Sequence, residues 1–208
     1  MSAELVIGAL ALAALASRGG AASGGAAVSG RPAAPGGGRW RALERPGGGR
    51  IQDKRAPPAS ELVNVTGVGG KALQAQRDAW NAYLAMREVA YSAGVERRLL
   101  GVHSALRSTA RQRELFEDKV AQVMRADPRL SRAAAEEVAD DWVARPGGSA
   151  HESGRAFDLD LDGGEIAGSR IEAMKRSTAW QWLARNAVRF GFYPYPLEPW
   201  HWEYNPPA

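Results

Sequence analysis

The chain has 208 residues, no cysteine, 27 basic and 23 acidic side chains and a formal net charge of +4. Without a thiol it can form no disulfide, no thiolate nucleophile and no Cys-ligated zinc site, so any metal must be held by His, Asp or Glu. Residues 1–60 hold eight basic and three acidic side chains, leaving 19 basic against 20 acidic in the rest, so the high pI belongs to the first sixty residues and a specific nucleic-acid partner is not expected.

The chain opens with an apolar run at 5–16, LVIGALALAALA. Twelve residues are too few to span a bilayer unaided but suit the core of a signal peptide, and Ala14-Leu15-Ala16 offers small residues for cleavage. The preceding MSAE carries an acid and no Lys or Arg, so residues 1–16 are read as a signal peptide or a short apolar helix. Residues 17–60 are Gly, Ala, Pro, Ser and Arg with few large apolar side chains. Such a stretch buries too little surface to offset its ordering entropy, and it reads as a disordered basic linker. Its arginines (Arg39, Arg41, Arg45, Arg50, Arg55) suit weak contact with anionic surfaces. One folded domain is expected at 61–208.

Within that domain a helical pattern runs from Gly69-Gly70 to about Gly94, with Leu73, Trp80, Leu84 and Tyr91 on one stripe. LLGVHSAL, residues 99–106, reads as a strand. A second helix starts near Thr109 and places Phe116 and Val120, then Val123 or Met124, at helical spacing. A third starts at Ser131, a good N-cap, and carries Ala134, Val138 and Trp142 until Pro146 stops it. Residues 156–162 alternate strictly, with Phe157, Leu159 and Leu161 facing one way and Asp158, Asp160 and Asp162 the other. Ser177 or Thr178 caps a helix through Trp182, Leu183 and Phe190 that Gly191 closes. The aromatic, Pro-rich FYPYPLEPWHWEY at the end suits an edge or irregular strand better than a central one. The expected fold is α+β, a small, mostly antiparallel sheet flanked by helices, with a metal site on the sheet.

Three metal patterns overlap between 151 and 169. HESGR at 151–155 falls short of H-E-x-x-H, because Arg155 stands where the second histidine is needed. Asp158-Leu-Asp160-Leu-Asp162-Gly163 copies half of a calcium loop, but the twelfth position is Ser169 instead of Glu and no amphipathic helix leads in. The third pattern joins His151 and Asp158 to His201, in a chain with three histidines in all. Two imidazoles and one carboxylate leave a fourth position open on a tetrahedral zinc, as a catalytic site requires. Glu198, three residues before His201, is the natural general base. In a regular strand those two side chains face opposite ways, so Pro199 must mark a kink if both meet at the metal.

Ser149-x-His151-x-x-Gly154-x-Ala156-x-Asp158-Leu159, followed by Glu198-Pro199-Trp200-His201-Trp202-Glu203, resembles the VanY-type D-alanyl-D-alanine carboxypeptidases, a zinc peptidase group that also includes D-Ala-D-Ala dipeptidases and phage endolysin peptidases and shares its fold with hedgehog signalling domains. An upstream piece agrees through Ser104, Arg107, Ser108, Gln112, Leu115 and Phe116. The resemblance spans roughly residues 70–205. It implies zinc on His151, Asp158 and His201, Glu198 as the base that deprotonates water, and Arg107 as the cation that meets the oxyanion. Ser149 and Gln112 are candidate substrate contacts, with a loop cap and a helix surface residue as the alternatives. Ala105-Leu106 depart from the usual Gly-Tyr before the arginine, and Trp200 is the candidate replacement for the lost aromatic contact.

The implied function is hydrolysis of the terminal D-Ala of peptidoglycan stem peptides by an exported or envelope-associated monomer, its basic arm weakly touching anionic envelope surfaces. An endolysin-like endopeptidase on the same zinc is one rival, though its branch often carries D-x-x-H where this chain has Glu198-Pro199-Trp200-His201. A non-catalytic zinc-containing binding module is the other, and such a module has no need of both Glu198 and Arg107.

Overall fold

The computed structural model describes residues 49–206. The apolar segment 1–16 and the linker as far as residue 48 lie outside the described residues.

The first departure from the sequence reading is at the front of the domain. Leu62–Thr66 (β1) and Ala72–Gln76 (β2) form an antiparallel hairpin with Val65 opposite Leu73. Gly69 and Gly70 adopt φ of 68° and 78° in its turn, a conformation open to glycine at little cost. The helix expected from Gly69 therefore begins only at Arg77, where the Gln76 side chain accepts a hydrogen bond of 2.9 Å from the Ala79 amide. Helix α1 (Arg77–Ser92) buries Ala79, Tyr83, Met86 and Ala90. Those positions repeat at helical spacing but lie one residue off the expected stripe: Trp80, Leu84 and Tyr91 only flank the core, and Leu73 belongs to β2.

Strand β3 (Val102–Ser104) is shorter than the expected 99–106, because Leu100 sits at φ 64° and breaks the extended run. Two tyrosines of α1 hold the break in place: the Tyr83 hydroxyl donates to Leu100 O at 2.6 Å and that of Tyr91 to Leu99 O at 2.8 Å.

Helices α2 (Thr109–Ala126) and α3 (Arg132–Asp140) are capped by Ser108 and Ser131, whose side chains accept from Arg111 N and Ala134 N. They share a small core of Phe116, Val120, Ala135 and Ala139. The expected α3 stripe is one residue out of phase. Ala135 and Ala139 are fully buried, whereas Val138 and Trp142 are 41% and 44% exposed. Alanines at the contact let the two helices approach closely, and Trp142 lies beyond the helix end with the Lys119 ammonium 5.3 Å from its ring centroid.

The main sheet has the order β3-β4-β6-β5, antiparallel throughout, with β4 at Ala156–Leu159, β5 at Phe192–Tyr195 and β6 at Glu198–Tyr204. The terminal stretch thus contributes an edge strand, β5, and, contrary to expectation, an internal one, β6. Pro199 is tolerated inside the sheet because β4 pairs with β6 only from His201 to Glu203, and the β5–β6 register breaks between Pro194 and Tyr195. The proline falls in the resulting bulge, where no ladder bond is asked of it. Two helices follow β4, α4 (Ile171–Arg176) and α5 (Thr178–Asn186), the second capped by Ser177 as expected.

One sheet face carries Phe157, Leu159, Trp200, Trp202 and Phe192 into the main core, against Tyr83 and Met86 of α1 and Leu183 of α5. Phe157 sits between Tyr83 and Phe192 at centroid distances of 5.6 and 5.8 Å. The opposite face carries Ala156, Asp158, His201 and Glu203, two cross-strand pairs: Ala156 opposite Glu203 and Asp158 opposite His201.

Part of the presumed linker covers that second face. Ile51 is 2% exposed and packs with Ala150 and Ala156. Its amide donates to Glu203, Asn205 Nδ2 donates to Gly49 O at 3.2 Å, and Arg155 Nη2 donates to Asp53 O at 2.8 Å. Residues from 49 onward therefore belong with the folded unit instead of the arm. Replacing Ile51 by Ala should lower the unfolding free energy by about 2 kcal/mol, the low end for a buried aliphatic truncation because the cluster is small. Chemical denaturation of the full chain measures it, and an unchanged midpoint would show that the segment does not pack.

Candidate active site

Asp158 lies between two imidazoles. Its Oδ2 is 3.2 Å from His151 Nε2 and its Oδ1 is 3.1 Å from His201 Nδ1, with the two rings 4.8 Å apart and steeply inclined. Three elements converge to make this geometry. Asp158 projects from β4, and His201 faces it from the paired position on β6. His151 comes from a single 3-10 turn, Ala150–Ser153, that ends at Gly154 with φ 66°. A side chain at Gly154 would also stand 3.1 Å from Gln76 N, so this residue both reverses the chain and lets the turn press against β2. Glu152 braces the turn by accepting from the Gly147 and Ser149 amides.

The ring orientations are set by outer partners. His151 Nδ1 donates to Ala105 O at 2.8 Å, which leaves Nε2 with its lone pair toward Asp158. His201 Nε2 faces Glu203 Oε1 at 3.4 Å, which directs Nδ1 inward. Among the described residues, His151, Asp158 and His201 are the one cluster with metal-binding potential, their ligand atoms all within 4.8 Å of one another. All three are buried. Two nitrogens and a carboxylate oxygen are the donor set of an open-sided divalent metal centre.

The two histidines differ electrostatically. Burial pushes the His151 imidazole below its usual range, against the pull of Asp158, and the Arg107 charge adds to the lowering. Burial would lower His201 too, but hydrogen bonds to Asp158 and Glu203 carry it up to about 9. The contrast follows from the outer partners, a neutral carbonyl in one case and a carboxylate in the other. Burial would raise Asp158, yet its two imidazole partners hold it well below the usual carboxylate range.

Glu198 stands 4.0 Å from His201 Nδ1. The bulge at Pro199 brings these two residues to one side of β6, which is the kink that the spacing demanded, and Trp202 Nε1 donates to Pro199 O at 3.0 Å across it. Burial, then the charge of Asp158, raises the Glu198 carboxyl above its ordinary value. Arg107 is anchored beside the metal cluster by its amide, which donates to His151 O at 3.1 Å, and its Nη1 donates to Gln112 Oε1 at 3.0 Å.

The other candidates are placed differently from their expected roles. Gln112 is 1% exposed and spends both ends on protein, accepting from Arg107 and donating to Ala144 O at 2.6 Å, so it supports the guanidinium instead of facing solvent. Ser149 opens the His151 turn and is buried. Trp200 packs in the main core on the face opposite His201, so it cannot replace an aromatic contact at the site. Tyr195 of β5 is the aromatic next to His201, edge-on at 5.8 Å. The calcium reading stays excluded, since Asp160 accepts from the Asp162 and Gly163 amides and Asp162 pairs with Arg170 at 2.8 Å. Glu203 has no assigned role in the sequence, and Arg50, grouped there with the arm's surface-binding arginines, instead lies against Glu203 and Tyr195. The period-2 rule applied from His201 finds Glu203, while nothing in the arm's composition points to Arg50.

An α+β fold that holds a buried two-histidine, one-carboxylate cluster, with a further carboxylate and a guanidinium beside it, has the donor set of a single-metal hydrolase type of site. The chain belongs to the VanY family of D-alanyl-D-alanine carboxypeptidases, whose model matches residues 72–207. A D-alanyl-D-alanine carboxypeptidase of Enterococcus faecalis (strain ATCC 700802 / V583) is 35% identical over 114 residues, which are 50% of this chain and 39% of that relative. The chain thus spans well under half the length of this curated relative. Among solved structures, a mutant of the vancomycin resistance D,D-pentapeptidase VanY from the VanB-type resistance cassette, in complex with Zn(II), is 28% identical with a TM-score of 0.51, covering 72% of this chain and 82% of its own. VanYB in complex with D-alanine-D-alanine gives the same identity and TM-score over 72% and 80% of the two chains. The LdcB LD-carboxypeptidase is 26% identical with a TM-score of 0.58 over 74% and 71%.

Metal binding should be linked to protons through His201. With its folded value near 9, the metal-free imidazole is charged at pH 7, so a metal must displace its Nδ1 proton. Apparent affinity should rise about tenfold per pH unit from 7 toward 9 and then level, with about one proton released per metal at pH 7. Calorimetry in buffers of different ionisation enthalpy reads this directly. An absence of proton release would contradict the assignment of His201.

Proposed function

We propose that the chain is a zinc-dependent D-alanyl-D-alanine carboxypeptidase that removes the terminal D-Ala of peptidoglycan stem peptides. The observation that carries this reading is the convergence of Glu198 and Arg107 on the His151–Asp158–His201 cluster in a chain of the VanY family. A structural metal site has no use for an aimed base and an aimed cation, whereas a hydrolytic one needs both.

His151, Asp158 and His201 would hold the zinc, their ligand atoms lying within 4.8 Å of one another. Zinc so held supplies Lewis acidity that polarises the scissile carbonyl and acidifies a water molecule. Glu198 takes a proton from the attacking water, and its raised pKa makes it able to hand that proton on to the leaving amine. The Arg107 guanidinium, steadied by Gln112, stabilises the negative charge that develops on the carbonyl oxygen. Ser149, beside His151, is the remaining candidate for a substrate contact. No helix among the described residues is long and apolar enough to cross a membrane. The reading places the enzyme outside the cytoplasmic membrane as a monomer, with the arginines of the arm against anionic envelope surfaces.

Glu198→Gln should retain zinc yet lose turnover by roughly 10²- to 10⁴-fold, and near wild-type turnover would remove Glu198 from the mechanism. A stem pentapeptide ending in D-Ala-D-Ala should release free D-Ala. Amidating its terminus should lower kcat/KM by about 10- to 100-fold through loss of a charge-assisted bond. Fragments cut from within the stem without D-Ala release would make the enzyme an endopeptidase. Release of D-Ala only from a tetrapeptide stem would make it an L,D-carboxypeptidase.

A further inference from the structure

Glu203 is a carboxylate that the proposed chemistry leaves unused, and it is 1% exposed. A buried carboxylate is retained only when its oxygens are matched by donors. Three donors meet it here. His201 Nε2 lies 3.4 Å from Oε1, Arg50 Nε donates to the same oxygen at 3.3 Å, and the Ile51 amide donates to Oε2. Arg50 makes a second contact, with its guanidinium 4.3 Å from the centroid of the Tyr195 ring, and Tyr195 in turn stands edge-on to His201. One arginine therefore touches both side chains that flank the outer side of His201.

We propose that Glu203 is a positioning residue for the metal centre, and that the Arg50–Ile51 segment, outside the residues matched by the family model, holds it against His201. The inference rests on the reading of His151, Asp158 and His201 as a zinc site. The chemistry is that of an outer carboxylate acting through a ligand. An acceptor on Nε2 fixes the tautomer that leaves the Nδ1 lone pair for the metal, restrains ring rotation and makes the imidazole a stronger donor. His151 meets a neutral carbonyl in the same role, so the two ligands are unequally supported and His201 depends on a residue whose position is set by residues 50 and 51. The Arg50–Ile51 segment is then part of the site, delivering two donors to the carboxylate that orients a ligand.

The test uses the full chain and zinc alone, with affinity measured by chelator competition and folding by the thermal midpoint of the metal-free protein. Wild type should bind one equivalent, and a wild type that binds none overturns the zinc reading before the inference is reached. Measured at a pH where the wild-type affinity has levelled, Glu203→Gln should raise the zinc Kd by roughly 10- to 100-fold with a metal-free midpoint near wild type. Turnover at saturating zinc should fall less than affinity. Arg50→Ala, on the half-exposed side of the brace, keeps the test open if the buried substitution fails to fold, and should raise Kd about two- to fivefold. Wild-type zinc affinity in folded Glu203→Gln, or in Arg50→Ala where the first variant does not fold, overturns the proposal.

Discussion

A single buried carboxylate with an imidazole on each side is the constraint around which this molecule is arranged. Asp158 is charged in a dry environment, and such a charge survives only if its partners are held in place. Each partner is delivered by a different device: His201 by antiparallel pairing of β6 with β4, His151 by a one-turn 3-10 element reversed at Gly154. Without a metal, the proton on His201 Nδ1 bonds Asp158, while His151 Nε2 turns a lone pair toward the other carboxylate oxygen. A divalent cation replaces that proton with a larger charge at the same point, so the site's assembly in the folded chain is preorganisation for metal.

The sheet does two jobs with one alternation. Phe157, Trp200 and Trp202 face the core while Asp158, His201 and Glu203 face the site, so packing the aromatic side fixes the register of the polar side. The bulge at Pro199 then breaks the alternation at one place, bringing Glu198 round to the face of His201. A proline, which donates no ladder bond, fits that break. The geometry of the site depends on the core in a definite way: a slip of one residue in β6 would send His201 into the core and Trp200 and Trp202 to the site face.

Much of this was legible in the sequence, and the misses have physical causes. The grouping of His151, Asp158 and His201, with Glu198 beside them and a kink at Pro199, followed from donor chemistry, from the family resemblance and from the facing rule of strands. The caps at Ser131 and Ser177 followed from local hydrogen bonding. The β1–β2 hairpin was lost because its Gly69-Gly70 turn also fits a helix start, and short strands carry few positions from which to read a period. The phase of α3 was lost because its contact with α2 is made by alanines, so the larger Val138 and Trp142 drew the stripe to the wrong face. Trp200 was assigned to the site by its neighbourhood in sequence, although alternation from His201 sends it to the core. Residues 49–53 could not be placed by composition, since their packing rests on one isoleucine and on a backbone donor to a carboxylate 152 residues away.

The central claim is that one metal occupies the space between His151, Asp158 and His201, and that the surrounding charges are arranged for it. Crystals of the full chain grown with one equivalent of zinc, measured on both sides of the zinc absorption edge, test this most directly. The account predicts one anomalous peak within about 2.0–2.2 Å of His151 Nε2, His201 Nδ1 and an Asp158 oxygen. A fully loaded protein whose peak lies elsewhere, or in which His201 still donates a proton to Asp158, would contradict it.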